Sequence, residues 1–355
     1  MKPYILVLLI LFFLIVGFEN ISKVFYRRMA KKRPQAHKTI DFLITGDENV
    51  FGKFTPRSFG LYWNRGNYFI DGKRQTNPQG YRSHSDQEFK VDSSRFRILV
   101  LGSSTTYSDH FSIDPKTSWP IQMENILRNK GKQNVDVINA GLNYATSAEL
   151  ISHYVFFATH IKPNLVIFDG PGNDFLPVAV GDTTKDYSRT RKSLLILPRR
   201  GEKLLLRSQM IKLAYFYFVN MMSTTLLEPP NHKHDTEKAK ENLINTFPEV
   251  FEGNIRVLAD LLKGQNIPLI LVDFLRPSSL KTFYPISWQG IQDFDIKSQQ
   301  IFEKIANHYG LMHITKNDLS FPDHAFMDSC HLNITFEKEK ATIIADRIYN
   351  GNYFS

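Results

Sequence analysis

A short apolar run, Ile98 to Leu101, is followed directly by Gly102 and by four hydroxyl residues, Ser103 to Thr106. The run predicts a buried strand, and the glycine and hydroxyl residues predict a turn at its carboxyl end. Open α/β sheets place their functional groups at that edge. We therefore take this turn as the first candidate for a functional site.

The chain after residue 96 alternates between strand and helix patterns. Strands are predicted at 97–101, 135–139, 165–168, 267–274 and 311–314, and helices at 119–129, 147–160, 250–262, 289–309 and 336–349. Alternation with short connections is typical of a parallel sheet with helices on both faces. Residues 181–245 interrupt the alternation, and we interpret them as a helical insertion that is a lid, a membrane-facing patch or an ordinary core helix.

The N-terminus carries a second strong pattern. Residues 3–18 are almost wholly apolar, a run just under the roughly 17–25 residues of a membrane-spanning helix. Bulky or charged residues follow without a small-residue cleavage site, so we predict an uncleaved transmembrane helix rather than a signal peptide. The predicted organisation is an anchor with a basic flank, 1–33, an irregular lead-in, 34–95, and an α/β domain, 96–355.

The distribution of charge argues against a nucleic-acid partner. The net charge is +9, but residues 1–33 hold seven basic residues and only one acidic residue. The rest of the chain has no basic stripe interleaved with aromatic residues. The positive-inside rule would keep the body of the chain in the cytoplasm, although the basic flank could instead contact anionic lipid headgroups.

Polar residues follow several predicted strands and should meet at one sheet edge. Asp328 lies three residues before His331, a spacing that lets a carboxylate orient a histidine ring for proton transfer. Gly141 and Asn173 follow the second and third strands, where a backbone N–H or a side-chain amide can stabilise an oxyanion. Each residue alone is equally compatible with a helix cap, a surface histidine or an ordinary turn.

Four motifs taken together resemble the SGNH (GDSL-like) hydrolases. They are Gly102-Ser-Ser-Thr-Thr-Tyr107, Ile138-Asn-Ala-Gly141, Gly172-Asn-Asp174 and Asp328-Ser-Cys-His-Leu332, in the order and spacing of that family. The lead-in motif Asn77-x-x-Gly80-Tyr-Arg82, which alone would be a plain surface turn, and the N-terminal run are similar to membrane-tethered members, often associated with envelope polysaccharides. Ser103 departs from the family, which usually has Asp or Gly at that place.

The resemblance implies a three-layer α/β/α fold with a flavodoxin-like parallel sheet of about five strands. It also implies a serine esterase mechanism. By matching position, Ser104 is the nucleophile, His331 the base and Asp328 its orienting partner. The oxyanion hole would consist of the Ser104 N–H, Gly141 and Asn173.

The expected function is a membrane-anchored esterase that cleaves acetyl or other esters of an envelope polysaccharide or lipid through an acyl-serine intermediate. Two alternatives stay open: an O-acyltransferase on a glycan, and a glycan-binding or scaffold protein without turnover. The tethered relatives favour a catalytic domain outside the cytoplasm, against the positive-inside rule. No cofactor is expected. No metal is expected either, because no cluster has metal-ligand spacing, and the single cysteine, Cys330, excludes a cysteine-rich site.

Overall fold

The computed structural model describes residues 3–32, 54–56, 62–109, 112, 114–170, 172–179, 187, 208–214, 236–245, 247–278 and 288–354. The chain forms two compact units, Met1–Pro56 with Arg191–His232, and Arg57–Thr190 with Lys233–Ser355. Residues 62–95 of the predicted lead-in lie in the second unit, together with the α/β domain.

The first unit contains helix α1, Pro3–Lys32, which includes the apolar N-terminal run, and strand β1, Phe54–Pro56. The backbone N–H of Met210 donates to the Glu19 carboxylate of α1 at 2.8 Å. From residue 19 onward, α1 carries one acidic and five basic residues. Within the described part of the chain, no helix combines the length and the apolar character needed to cross a membrane, so the predicted transmembrane helix is not found.

The second unit contains the sheet and the helices around it. Its strands are β2 Tyr62–Asn64, β3 Phe69–Ile70, β4 Lys73–Arg74, β5 Phe96–Gly102, β6 Val135–Gly141, β7 Leu165–Asp169, β8 Leu269–Val272 and β9 Met312–Ile314. Its helices are α2 Ser104–Tyr107, α3 Trp119–Asn129, α4 Ser147–Phe156, α5 Phe175–Ala179, α6 Thr236–Asn245, α7 Phe247–Gly264, α8 Trp288–Tyr309 and α9 Ile334–Asn350. Single 3₁₀ turns lie at Pro115–Thr117, Ala158–Ile161 and Asp323–Ala325.

Strands β5 to β9 form one parallel sheet in the order β6-β5-β7-β8-β9. Numbered along the chain, this is the 2-1-3-4-5 order of flavodoxin-like sheets, and it confirms the predicted parallel α/β fold. The order reverses at β5, which has β6 on one side and β7 on the other. Ligands of open α/β sheets bind outside the carboxyl ends of the strands at such a point, and the turn after Gly102 lies there.

Helices cover both faces of the sheet, because successive side chains of a strand point to opposite sides. On one face, strand residues such as Ile98 and Val100 share a buried cluster with side chains of α3 and α9. On the other face, the Phe168 ring lies 6.1 Å from the Phe302 ring of α8, and Phe251 of α7 lies 5.6 Å from Phe302. Three layers result, with the sheet in the middle.

The predicted elements differ from the observed ones mainly at their ends. Helix α3 has the predicted bounds, whereas the helix predicted at 147–160 ends at Phe156 and is followed by the separate 3₁₀ turn Ala158–Ile161. Only residues 187, 208–214 and 236–245 of the insertion predicted at 181–245 are described. The question of a lid therefore concerns mostly residues outside the described ranges.

Candidate active site

The turn after β5 exposes one of its four hydroxyl residues. Ser104 is the first residue of α2 and is partly accessible to solvent. Ser103, Thr105 and Thr106 are 1%, 8% and 0% exposed. Of these four side chains, Ser104 is therefore the one that can meet a substrate. The side chain of Ser103, at the position where the sequence departs from the SGNH pattern, is buried.

Ser104, His331 and Asp328 form a chain of hydrogen bonds. The Ser104 Oγ lies 2.9 Å from His331 Nε2, and His331 Nδ1 lies 2.7 Å from Asp328 Oδ2. Asp328 Oδ1 accepts the backbone N–H groups of Cys330 and His331, both at 2.9 Å. The loop therefore fixes the carboxylate, and the carboxylate fixes the ring with Nε2 toward the serine hydroxyl.

The electrostatics of this pair favour a positive ring beside a negative carboxylate. Burial disfavours the charged form of His331, but the hydrogen bond to Asp328 and the contact with Cys330 outweigh burial and raise the pKa of the imidazole above its ordinary value. For Asp328, partial burial acts to raise the pKa, but the hydrogen bonds from His331 and Cys330 hold it below the usual range. The pair therefore stabilises the imidazolium that proton transfer from a serine would create.

Gly141 lies close to the nucleophile turn, but its N–H already has an acceptor. That N–H donates to Asn139 Oδ1 at 2.9 Å, and the Gly141 carbonyl accepts the Asn64 amide at 2.8 Å. A Cβ at Gly141 would lie 2.3 Å from the backbone nitrogen of Tyr107 in α2. The observed geometry supports a close-packing role for Gly141 and does not support the predicted oxyanion contact.

The loops after β6 and β7 are joined by side-chain hydrogen bonds. The Asn173 amide donates to the Ala145 carbonyl at 3.0 Å, and the buried Asp174 carboxylate accepts the Ser147 N–H at 2.9 Å. Because an amide nitrogen carries two N–H groups, Asn173 can donate to a further acceptor. In the same region, Tyr144 is half exposed and has a φ of 65°. This left-handed backbone conformation is uncommon for a residue with a side chain.

A buried ion pair contacts the turn that carries Ser104, and it was not predicted from the sequence. Lys340 of α9 places its ammonium 2.8 Å from Asp169 Oδ1, at the end of β7, and 4.7 Å from the centre of the Trp119 ring. The other carboxylate oxygen, Oδ2, accepts the Thr106 hydroxyl of α2 at 2.6 Å. Both charged side chains are less than 5% exposed. The pair therefore links α9, β7 and α2.

A second buried carboxylate of α9 contacts the other end of the turn. Glu337 Oε2 accepts the Ser108 hydroxyl and the Trp119 N–H, both at 3.0 Å. Burial raises the pKa of Glu337 to about 7, although Lys340 acts in the opposite direction. The sequence offered only a weak signal for these residues, because a Glu and a Lys three positions apart on a helix are usually solvated.

The lead-in motif packs against the same turn and is not a surface turn. Asn77, Tyr81 and Arg82 are each buried. The Arg82 N–H donates to the Asn139 carbonyl at 3.0 Å, and its guanidinium lies 4.6 Å from the centre of the Tyr107 ring. Arginine stacks readily on aromatic rings and keeps its charge when buried. The motif thus packs against the short helix that begins at Ser104.

Possible metal ligands meet at one place in the described residues, the loop that carries the histidine. A carboxylate oxygen of Asp328, the Cys330 sulfur and a ring nitrogen of His331 all lie within 4.8 Å of one another. Their spacing in the sequence gave no such signal, because two of the three are adjacent in the chain.

Comparisons with known proteins found similar folds at low sequence identity. No family model matches the chain, and no curated protein matches it. A GDSL-like lipase from Bacteroides thetaiotaomicron is 14% identical, covering 75% of this chain and 91% of the lipase, with a TM-score of 0.41. A lipase/acylhydrolase from Enterococcus faecalis is 13% identical, covering 72% and 96%, with a TM-score of 0.37.

An acetylxylan esterase from Geobacillus stearothermophilus, solved as a catalytic mutant, is 11% identical over 74% of this chain and 96% of the esterase, with a TM-score of 0.45. Similarities at identities and TM-scores this low do not assign a function to the chain.

Proposed function

We propose that this protein is a serine esterase that hydrolyses carboxylic esters through an acyl-serine intermediate. The observation that carries the proposal is the chain of hydrogen bonds from Ser104 Oγ to His331 Nε2 at 2.9 Å and from Nδ1 to Asp328 at 2.7 Å. A hydroxyl bonded to a base, with the base oriented by a third group, is the arrangement that activates a serine nucleophile.

The reaction follows from the positions of these atoms. Ser104 Oγ attacks the ester carbonyl while His331 Nε2 takes the hydroxyl proton. Asp328 holds the Nδ1–H and stabilises the imidazolium. The imidazolium then gives the proton to the departing alcohol, which leaves an ester of Ser104. Water, deprotonated by the same Nε2, attacks that ester and releases the acid.

The oxyanion needs hydrogen-bond donors beside Ser104. We assign this role to the Ser104 backbone N–H and to the second N–H of the Asn173 amide, since the first donates to Ala145. The loss of one such donor typically lowers kcat by about 100- to 1,000-fold. Gly141 is left out of this set because its N–H donates to Asn139.

The identity of the acyl group and the alcohol rests on the resemblance of the motifs to membrane-tethered SGNH proteins. On that basis, we propose acetyl or other short acyl esters of an envelope polysaccharide or lipid. If a sugar hydroxyl reaches the acyl-serine before water does, the same residues transfer the acyl group, because exclusion of water decides the acceptor. A polysaccharide added to the assay distinguishes the two outcomes through acylated sugar in the products.

The test of the esterase is hydrolysis of p-nitrophenyl acetate by the full chain and by Ser104→Ala. We expect the variant to lose nearly all turnover, because no other hydroxyl of the turn is accessible. Ser103→Ala is the matched control, since it removes the neighbouring enclosed hydroxyl and should keep most of the activity. Equal rates for the wild type and Ser104→Ala would refute the serine mechanism.

We also propose that α1 attaches the protein to a membrane, with the catalytic residues outside the cytoplasm. The proposal is supported by the exposed apolar side chains of α1, among them Phe12, Phe13, Ile15 and Phe18, each more than half exposed. The basic residues that follow argue for the opposite orientation. Membrane fractionation tests the attachment, and a C-terminal reporter that is active on only one side of the membrane tests the orientation.

A further inference from the structure

The loop Asp328–His331 brings three different metal-binding groups to one point. The Cys330 Sγ lies 3.6 Å from His331 Nδ1, and Asp328 Oδ2 lies 2.7 Å from the same nitrogen. One oxygen of Asp328, one sulfur and one ring nitrogen are all within 4.8 Å of one another. The single cysteine of the chain therefore sits between the two residues that orient the proposed nucleophile.

The distances suit a tetrahedral ion of the size of zinc. Zinc binds sulfur at about 2.3 Å and histidine nitrogen at about 2.0–2.1 Å, which places these two donors about 3.5 Å apart on one ion. The observed Sγ to Nδ1 distance of 3.6 Å agrees with this value. The carboxylate oxygen must move away by less than about 1 Å from its hydrogen-bonded position, and the Asp328 side chain is 38% exposed.

The loop is also held in place without a metal. Asp328 Oδ1 accepts two backbone N–H groups, those of Cys330 and His331, at 2.9 Å each. Both oxygens lie near His331 Nδ1, Oδ2 at 2.7 Å and Oδ1 at 2.9 Å. The mixed set of thiolate, imidazole and carboxylate favours zinc over magnesium or calcium, which prefer ligand sets made of oxygen.

We propose that Asp328, Cys330 and His331 bind Zn²⁺ and that the bound ion switches off the esterase, a regulatory role that rests on the function proposed above. The ion takes the place of the Nδ1 proton between the ring and the carboxylate. The Cys330 thiol releases its proton to solvent. The imidazole proton moves from Nδ1 to Nε2, since a neutral ring bound to a metal through Nδ1 carries its proton on Nε2.

The consequence for Ser104 follows from this exchange of protons. With the proton on Nε2, His331 donates a hydrogen bond to Ser104 Oγ and no longer has a lone pair to accept the hydroxyl proton. The serine keeps its position and loses its base. A metal ion bound by the loop that orients the base thus inhibits without covering Ser104.

The binding part is tested with the inactive full-length Ser104→Ala protein, titrated calorimetrically with ZnCl₂. We expect one Zn²⁺ per chain. Adding Cys330→Ala should weaken zinc binding by at least about 10- to 100-fold, because the loss of a group that only supports a metal ligand already has an effect of this size. His324→Ala, an exposed histidine of the neighbouring turn, is the matched control and should bind as before. Equal affinity with and without Cys330 overturns the site.

The regulatory part is tested by titrating hydrolysis of p-nitrophenyl acetate with ZnCl₂, followed by EDTA. Zn²⁺ should inhibit the wild type reversibly, and Cys330→Ala, compared with its own zinc-free rate, should need at least about 10-fold more Zn²⁺ for the same fractional inhibition. Inhibition that is absent in the wild type, or unchanged in Cys330→Ala, overturns the switch. If the wild type hydrolyses no ester while Ser104→Ala binds Zn²⁺ through Cys330, the esterase proposal fails and the metal site stands.

Discussion

At the scale of single residues, the His331–Asp328 pair predicts the pH dependence of the reaction. His331 must be neutral to accept a proton, so kcat/KM falls as the pH decreases through its pKa. Because Asp328 raises that pKa, the acid limb of the wild-type profile should lie above the ordinary histidine value of 6.5. In Asp328→Asn, we expect the residual activity to be lower by orders of magnitude, with its acid limb at lower pH.

The control for this prediction is Asp323→Asn, which removes a loop carboxylate that accepts the Ser278 N–H rather than contacting the ring. Its acid limb should coincide with that of the wild type. A limb that stays in place in Asp328→Asn would show that the carboxylate does not set the pKa of the base.

Gly141 gives a second prediction at the residue scale. In Gly141→Ala, the new Cβ would lie 2.3 Å and 2.6 Å from the Tyr107 nitrogen and Cα, which are backbone atoms of the helix that starts at Ser104. We expect a lower kcat, because Ser104 shifts relative to His331, and a loss of about 1–3 kcal/mol in the free energy of unfolding. Urea denaturation and ester hydrolysis measure the two effects.

Gly253→Ala is the matched control, since nothing lies within 4 Å of a Cβ at that helical position. It should keep its activity and gain up to about 1 kcal/mol of stability, as glycine is a poor helix former. If Gly141→Ala kept its activity and stability as Gly253→Ala does, the close approach of β6 to α2 would not be required for catalysis.

At the scale of elements, the ion pair between α9 and β7 supports the turn that carries Ser104. Lys340→Met leaves the Asp169 carboxylate buried without its cation, which should lower the free energy of unfolding by about 3–5 kcal/mol. In the double variant Lys340→Met, Asp169→Asn, the carboxylate that paired with the lysine is also removed, and we expect much of the loss to be recovered. Urea denaturation of both proteins checks this.

The comparison variant is Lys338→Met on the exposed side of the same helix, which should change stability by less than about 0.5 kcal/mol. A double variant as unstable as Lys340→Met alone would mean that packing of the lysine stem, rather than the unpaired charge, accounts for the effect.

The helices and strands were largely predictable from the sequence, but the buried polar contacts between them were not. Helix α3 matches its prediction because an apolar stripe and the following Gly131 mark both the buried face and the end of the helix. Helix α9 was also predicted, but the burial of its Glu337 and Lys340 was not. Their burial depends on Asp169 and Trp119, which are distant in the chain, and no local pattern reports such a partner.

At the scale of the whole molecule, the sequence predicted how the candidate site is assembled. Ser104 and Asn173 follow parallel strands, and the loop with Asp328 and His331 comes after the last strand, so the fold alone brings these loops toward one edge. The role of residues 62–95 was not predictable, because their weak periodicity concealed a buried motif. Arg82 of this segment contacts Tyr107 next to the candidate nucleophile.

The activated state of Ser104 is tested most directly by covalent labelling. The full-length protein is incubated with a fluorophosphonate, in which a nucleophilic oxygen displaces fluoride from phosphorus, and is then measured by intact and peptide mass spectrometry. The account predicts one adduct per chain, on the peptide that contains Ser104, and much slower labelling in His331→Ala. No adduct on the folded wild-type protein, or an equal yield in Ser104→Ala, would contradict it.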